Sequence, residues 1–179
     1  MPLKTITEGT VSDAYLALLA DRGIDYFFGN AGTDFAPIIE SFSKAQALGT
    51  KVPKAMLVPH ENLAIHMALG YYAVTGRPQV VMVHVNVGTA NALNGIINAS
   101  RGNIPVIFSS GRTPYSETGD REGRRTREVH WPQEMFDQGA LAREMVKWDY
   151  ELRNGKQIET IVDRAVTVAM TEPRGPVYL

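Results

Sequence analysis

Glu61 and His84 are the side chains whose type and position favour acid–base chemistry. Glu61 follows the apolar run Ala55–Val58, and His84 interrupts the run Val80–Val85 near its end. Both runs are of the kind that forms a buried strand. A carboxylate there can hold or pass a proton, and a histidine can do so near neutral pH. Both also have structural explanations. Glu61 would suit the first turn of a following helix, and His84 could be a hydrogen-bonded core histidine. Position alone leaves both explanations open.

Composition and motif content exclude several other chemistries. The 179 residues include no cysteine, which excludes thiolate nucleophiles, zinc–thiolate sites and iron–sulfur clusters. His60 and His66 are six residues apart, which does not match the i, i+4 spacing of a helical metal pair, so we predict structural roles for both. His130 stands beside Trp131 in a polar stretch and shows no interpretable pattern. We predict no metal ligand in this chain.

Known phosphate and nucleophile motifs are missing. The chain has no GxxxxGK[ST], and Gly29–Gly32 is not GxGxxG, which disfavours a nicotinamide dehydrogenase domain. Ser109–Gly111 lacks the GxSxG elbow of serine hydrolases. The turn Gly88–Asn91 offers backbone N–H groups for a phosphate or ordinary helix capping, and both remain open.

The overall charge is nearly balanced. The chain carries 18 basic and 19 acidic residues, a formal net charge of −1, so we expect no nucleic-acid and no membrane partner. No apolar run is long enough to cross a bilayer, and the first ten residues lack the apolar region of a secretory signal. We therefore expect a cytoplasmic location.

Strands and helices alternate along the first 110 residues. Four strands are predicted at 24–28, 55–58, 80–85 and 105–109. The first helix is predicted between Thr10, its N-cap, and Gly23, its C-terminal stop. A second is predicted to begin at Thr33 as N-cap, with Pro37 in its first turn. Two more are predicted over 61–74 and 88–100. Short connections between them predict an α/β fold with three layers, a mostly parallel sheet carrying helices on both faces.

The rest of the chain has a weaker pattern. Residues 113–138 are polar, and Arg121, Arg124, Arg125 and Arg127 alternate with acids, which indicates a solvated loop or a subunit contact rather than an anion site. A short helix is predicted at 133–141, a strand at 145–150, a helix at 158–170 and a strand at 176–179. Ending on that apolar strand indicates a piece of a longer chain, and a natural C-terminus tucked into the sheet is the alternative.

Ligands of parallel sheets gather at the carboxyl ends of the strands. The segments expected there are 29–33, 59–61, 84–91 and 109–114. Pro59–Ala64 with His66–Ala73, and the turn within Val83–Ala92, are similar to the HE-x(n)-A-x-GYA segment and the G-x-x-N turn of thiamine diphosphate-dependent enzymes. Gly29–Thr33 matches the first loop, and 104–107 with 110–111 continue the resemblance in order over nearly all of the chain.

The resemblance is to the N-terminal pyrimidine-binding domain of the acetolactate synthase, benzoylformate decarboxylase and pyruvate decarboxylase family. It implies the thiamine diphosphate-binding fold over residues 1–179 and an enzyme that decarboxylates or carboligates a 2-keto acid. Glu61 aligns with the activating glutamate, which shares a proton with the aminopyrimidine ring of the cofactor. Gly32, Gly88 and Asn91 are implied cofactor contacts. His84 aligns with an active-site histidine of benzoylformate decarboxylase, and Thr33 with its substrate-contacting serine.

The same resemblance predicts what lies outside the chain. Gly119–Arg121 is not the GDG…N magnesium signature, so magnesium and diphosphate ligands are expected elsewhere in a longer three-domain protein. We expect a homo-oligomer, dimer or tetramer, with the site at a subunit interface, and FAD is possible in the full enzyme. Val85–Val87 replaces the Ser-Gly-Pro of acetolactate synthases, which argues against acetolactate synthesis proper. Two alternatives are a separate small subunit of a two-chain 2-keto acid decarboxylase and a non-catalytic α/β partner-binding domain.

Overall fold

A five-stranded, fully parallel sheet forms the centre of the molecule. The computed structural model describes residues 9–118 and 123–179, so Arg121 and the Gly119–Arg121 motif lie outside the described residues. The strands follow the order β2-β1-β3-β4-β5 across the sheet. Their bounds are β1 Tyr26–Gly29, β2 Lys54–Leu57, β3 Gln79–Val83, β4 Val106–Ser110 and β5 Val177–Tyr178.

Helices cover both faces of this sheet. They are α1 Val11–Asp21, α2 Ala36–Leu48, α3 Glu61–Thr75, α4 Val85–Arg101 and α5 Ile158–Met170. Residues of α3 and α4 form one core cluster with one face of the sheet, and residues of α1, α2 and α5 form a second cluster with the other face. The predicted three-layer α/β class is therefore confirmed. β3 is buried at every position, as expected for a central parallel strand.

Local sequence signals explain most helix boundaries. Thr10 caps α1 through a capping box with Asp13, as its position predicted. Gly76 ends α3 in the left-handed conformation, where a side chain would be strained. α4 and α3 pack closely at Gly95, where an added Cβ would lie 2.7 Å from the Cβ of Ile65. Glycine at this position therefore sets the separation of the two helices.

Two predicted helix starts are wrong. Thr33 does not cap α2, because it lies in a short 3₁₀ turn, Thr33–Phe35, that precedes the helix, although Pro37 is in the first turn as predicted. α4 begins three residues before Gly88, since His84 takes extended backbone and serves as its N-cap residue. The N–H of Gly88 donates to the His84 carbonyl at 2.8 Å, so Gly88–Asn91 lies inside α4, where neither of the two open interpretations, phosphate binding at a helix N-terminus and helix capping, applies.

Two weaker predictions in the second half also fail in part. The helix expected at 133–141 is reduced to a 3₁₀ turn, Gly139–Leu141. The strand expected at 145–150 forms only one parallel bridge, between Asp149 and Tyr178, although the Tyr150 N–H donates to the Tyr178 carbonyl at 3.0 Å. Two more backbone hydrogen bonds, from the Lys147 N–H to the Pro176 carbonyl at 2.8 Å and from the Tyr178 N–H to the Trp148 carbonyl at 2.9 Å, hold the segment along β5 without adding a second bridge. Within the described ranges, no helix is long and apolar enough to cross a membrane.

Candidate active site

The loops that follow the strands meet at one edge of the sheet. Because every strand pair is parallel, all the carboxyl ends point the same way. Glu61 follows β2, His84 follows β3, and Gly111 follows β4. The loop after β1 brings Gly32 and Asp34 to the same edge. This is the position where parallel α/β sheets bind ligands.

Glu61 is the first residue of α3 and is only 7% exposed. His60 precedes it in extended backbone, and the His60 ring accepts the Asn62 N–H at 3.1 Å, which fixes the helix start. Asn91 of α4 donates to Glu61 Oε2 at 3.3 Å. A carboxylate offers about four acceptor sites. This long bond is the one hydrogen bond of the Glu61 side chain among residues 9–118 and 123–179, so most of its capacity is open to a ligand.

His84 is held between two polar side chains. Its Nδ1 lies 2.7 Å from Asp34 Oδ1, and its Nε2 lies 2.9 Å from Gln133 Nε2. The imidazole is 23% exposed and the Asp34 side chain 8% exposed. The loop after β1 allows this contact only because residue 32 is glycine, since a Cβ there would lie 2.1 Å from the Cγ of His84. The ring is thus oriented rather than freely rotating.

Gln133 reaches His84 from the long polar segment. The neighbouring Glu134 bonds Arg112 at 2.7 Å and also binds the Thr113 hydroxyl and Arg125. The hydrogen bond from Thr113, reinforced by Arg112, holds the pKa of Glu134 below its ordinary value. Glu134 therefore stays ionised and ties this segment to the end of β4.

Arg125 is not part of a solvated loop, although the sequence allowed that interpretation. Its side chain is only 8% exposed, it pairs with Glu117 and Glu134, and it lies over the Trp131 ring. This pairing agrees with the expectation that the segment is not an anion site.

The other predicted residues lie in four places. Asn91 and Glu61 are together, and Gly32 and His84 are together. Thr33 is exposed in the turn beside Asp34. Gly88 lies inside α4, where an added Cβ would be 2.9 Å from the Cβ of Val83, so it serves close packing of the helix on β3.

The remaining histidines make local structural bonds. His66 bonds the Asn62 carbonyl at 2.8 Å and the Asn98 amide at 3.0 Å, across α3 and α4. His130 accepts the Thr126 N–H at 3.2 Å. In residues 9–118 and 123–179 no group of three or more His, Asp or Glu side chains could hold a metal ion.

Asp34 and Gln133 are site residues that the sequence interpretation missed. Asp34 is one residue beyond the segment expected at the carboxyl end of β1, so a slightly wider window would have included it. Gln133 is 49 residues from His84 and has no local pattern to distinguish it. Only the folded path of residues 123–138 brings it to the sheet edge.

A separate cavity of about 980 Å³ opens beyond the ends of β4 and β5. Its arginines are paired, Arg112 with Glu134 and Glu151, and Arg143 with Asp137 and Asp149. Neither Glu61 nor His84 lines it. Its charges are compensated within the chain, so it does not resemble an anion site.

These features define a parallel α/β domain with a buried carboxylate and an oriented histidine at its ligand-binding edge. Residues 9–141 match the family model "Thiamine pyrophosphate enzyme, N-terminal TPP binding domain". The chain belongs to this family.

Individual relatives agree with the family. The chain is 28% identical over 170 residues to benzoylformate decarboxylase of Pseudomonas aeruginosa, covering 95% of this chain and 29% of that protein. It is 28% identical over 161 residues to the acetolactate synthase large subunit of Haemophilus influenzae, covering 90% and 26%. The solved structure of a thiamine diphosphate-dependent 4-hydroxybenzoylformate decarboxylase from Rhodococcus jostii superposes with a TM-score of 0.75 at 26% identity, covering 95% and 29%. The chain thus spans under a third of the length of these relatives.

Proposed function

We propose that this chain is the pyrimidine-binding part of a thiamine diphosphate-dependent enzyme that decarboxylates or carboligates a 2-keto acid. The observation that carries the proposal is the buried Glu61 carboxylate at the N-terminus of α3, in a domain of this family. Similarity to benzoylformate decarboxylase and acetolactate synthase supports the substrate class.

The residues at the sheet edge fit the cofactor. Glu61 is desolvated and keeps open acceptor capacity among the described residues, which suits a carboxyl that shares a proton with an aminopyrimidine nitrogen. Asn91 orients that carboxyl from α4. Gly32 and Gly88 are the further cofactor contacts that we propose.

The positions of these groups assign a separate role to the cofactor, to Glu61, to His84 and to Thr33. The cofactor, when bound, supplies the nucleophilic carbon and the electron sink that 2-keto acid chemistry requires. The carboxyl oxygens of Glu61 would hold the aminopyrimidine ring of the cofactor and would be the place where a proton is shared with it. His84 holds or moves a proton at Nε2 toward the substrate, and Thr33 offers its exposed hydroxyl to the substrate.

The whole protein extends this proposal. We infer a longer chain of three domains, a cytoplasmic location, and a dimer or tetramer with the site at a subunit interface. Magnesium and diphosphate ligands lie on another domain, and FAD, where present, is held mostly by other domains. Residues 1–179 alone are therefore expected to turn over no substrate. The intact mass of the native gene product tests this, since a native 179-residue chain would instead indicate a separate small subunit.

The test of the site is Glu61→Gln in the full-length enzyme. The amide keeps the shape of the side chain but cannot share a proton, so we expect turnover of the preferred 2-keto acid to fall by roughly two orders of magnitude or more. The matched control is Glu159→Gln, which changes an exposed carboxylate in the first turn of α5. Circular dichroism checks that both variants fold. Near-normal turnover in Glu61→Gln would remove Glu61 from the mechanism.

A further inference from the structure

The Asp34 carboxylate joins three loops at the edge of the sheet. Its Oδ1 lies 2.7 Å from His84 Nδ1, and its Oδ2 accepts the N–H groups of Gly111 at 3.0 Å and Val85 at 3.4 Å. These partners follow β3 and β4, whereas Asp34 itself follows β1. The side chain is 8% exposed, so water screens these bonds little. Asp34 is the common partner of all three loops.

Counting donors and acceptors determines which ring nitrogen of His84 carries the proton. The two backbone groups can only donate, so the oxygen they bond must accept. An ionised carboxylate has no hydrogen of its own, so Oδ1 must accept as well. Nδ1 of His84 therefore carries a proton and donates it to Asp34. In the neutral ring, Nε2 is then an acceptor, and the amide group of Gln133 at 2.9 Å is a donor that matches it.

The amide of Gln133 can form a hydrogen bond with the neutral and with the doubly protonated ring of His84. Its Oε1 is buried and has no hydrogen-bond partner among the described residues. Turning the amide by half a turn would present Oε1 instead of Nε2 to the ring. A doubly protonated His84, which donates from both nitrogens, would then also be satisfied. The same side chain thus fits both protonation states of Nε2.

The backbone around His84 is constrained as well. Val85, the next residue, has a φ of 42°, a left-handed conformation that is strained for a β-branched side chain. Its N–H is one of the two backbone groups that bond to Asp34. On the other side, Gly32 closes on the ring, as an added Cβ would lie 2.1 Å from Nδ1. Asp34 is the charged group that keeps this arrangement together.

We propose that Asp34 is a positioning residue that fixes the proton of His84 on Nδ1, so that Nε2 is the atom that exchanges a proton with the substrate. In this exchange Nε2 takes one proton from solvent water, gives it to the keto oxygen of the substrate as that oxygen gains negative charge, and takes it back when the carbonyl reforms. Nδ1 keeps its own proton throughout and continues to donate it to Asp34. The inference rests on the proposed function, because it assumes that His84 acts on the 2-keto acid.

Asp34→Asn in the full-length enzyme tests this. In an amide only the oxygen accepts and the NH₂ group only donates, so the side chain of the Asp34→Asn variant cannot present one accepting atom to the backbone N–H groups and another to Nδ1–H. If its oxygen stays on the backbone, its NH₂ faces Nδ1 and the ring proton moves to Nε2. The equivalent change in a Ser-His-Asp triad costs about 10⁴-fold in kcat through the wrong tautomer. We expect kcat to fall by about 100-fold or more with KM changed by less than about threefold.

A double-mutant cycle with His84→Ala shows whether Asp34 acts through His84. Adding Asp34→Asn to His84→Ala should lower kcat by no more than about threefold, because the group that Asp34 positions is already gone. Full additivity would overturn the proposal, and so would wild-type kcat in Asp34→Asn alone. Gly32→Ala is a second variant that displaces the ring and leaves Asp34 in place. It should show the same loss of kcat, and a normal kcat would contradict the proposal.

The matched control is Asp25→Asn. Asp25 accepts from the Tyr71 hydroxyl at 2.9 Å and from Arg77 at 2.8 Å, and it precedes β1 at the opposite edge of the sheet. We expect its kcat and KM to match those of the unmodified enzyme. A loss equal to that of Asp34→Asn would mean that removing any such carboxylate disturbs the fold, and it would overturn the assignment.

A second measurement separates this inference from the proposed function. Hydrogen–deuterium exchange at the reactive carbon of the bound cofactor, read after acid quenching, reports cofactor activation without substrate. Asp34→Asn should leave the exchange rate near that of the unmodified enzyme, whereas Glu61→Gln should slow it. Equal slowing in both variants would refute the positioning role of Asp34. Normal exchange in Glu61→Gln would refute the proposed role of Glu61 and leave the Asp34–His84 cycle to be judged on kcat alone.

Discussion

The close contact between α3 and α4 predicts opposite effects for two Gly→Ala changes. In a helix interior, alanine is about 1 kcal/mol more favourable than glycine. Gly70 lies in α3 with nothing within 4 Å of an added Cβ, so Gly70→Ala should gain about that amount. Gly95 lies in α4, where the new Cβ would be 2.7 Å from both Cβ and Cγ2 of the fully buried Ile65. Gly95→Ala cannot realise the gain without moving a helix.

The size of the difference follows from the distances. Carbon atoms in contact normally lie about 3.5–4.0 Å apart, so the shortfall at Gly95 is about 1 Å. Overpacking of a core by one methyl group costs about 1–3 kcal/mol. The helix-propensity gain is common to both variants and cancels in their comparison. Gly95→Ala should therefore be less stable than Gly70→Ala by about 1–3 kcal/mol.

Thermal unfolding of the two full-length variants, side by side, measures this difference. We also expect Gly95→Ala to lower turnover, because α3 carries Glu61 and α4 carries Asn91, and separating the helices breaks their contact of 3.3 Å. Gly70→Ala should keep normal turnover. Equal melting temperatures for the two variants would refute the argument, since Gly95 would then have room for a methyl group.

Two further changes test polar contacts. The fully buried Gln79 accepts two backbone N–H groups through Oε1 and donates from Nε2 to the Pro78 carbonyl. Gln79→Glu removes that donor, so it should lower the unfolding free energy by about 1–3 kcal/mol, whereas Gln46→Glu, at an exposed position, should cause no measurable loss. The pKa of Glu134 is lowered, chiefly by the Thr113 hydroxyl, so its stabilisation is complete above the ordinary value of 4.5 and is lost as the pH falls through the lowered value. Glu134→Gln should speed amide hydrogen exchange around Arg125 at pH 7 and remove that acid sensitivity, and unchanged exchange would contradict it.

The apolar periodicity, together with residues that start or end helices, predicted the helices and strands that depend on local sequence. The helix at 158–170 was predicted with its observed bounds, because its apolar period is regular and Pro173 follows it. The first four strands of the chain were predicted within two residues at each end, since each is a short apolar run. The strand at 80–85 ends early, at Val83, because His84 leaves the ladder to begin α4. The apolar pattern of 80–85 continues through His84, so it does not show where the strand ends and the helix begins.

Pairings between distant residues could not be predicted in this way. The segment at 145–150 has the composition of a strand, but whether it forms a ladder depends on β5, almost 30 residues further on. Asp34 meets His84 across 50 residues, and Gln133 meets it across 49. Resemblance to a known family pointed to Glu61 and His84, and it carried no information about which side chains hold His84 in this particular chain.

The order of the strands has a consequence for how this site can vary. After β1 the chain turns to one side of the sheet, toward β2, and after β3 it turns to the other side, toward β4. The connections at this boundary leave in opposite directions and open a crevice. Gly32, His84 and Gln133 enter it on three separate loops, while the strands below share one hydrogen-bond ladder. The walls of the crevice meet at His84, so replacing one loop would change how the other two hold the ring, while the hydrogen-bond ladder of the sheet would stay intact.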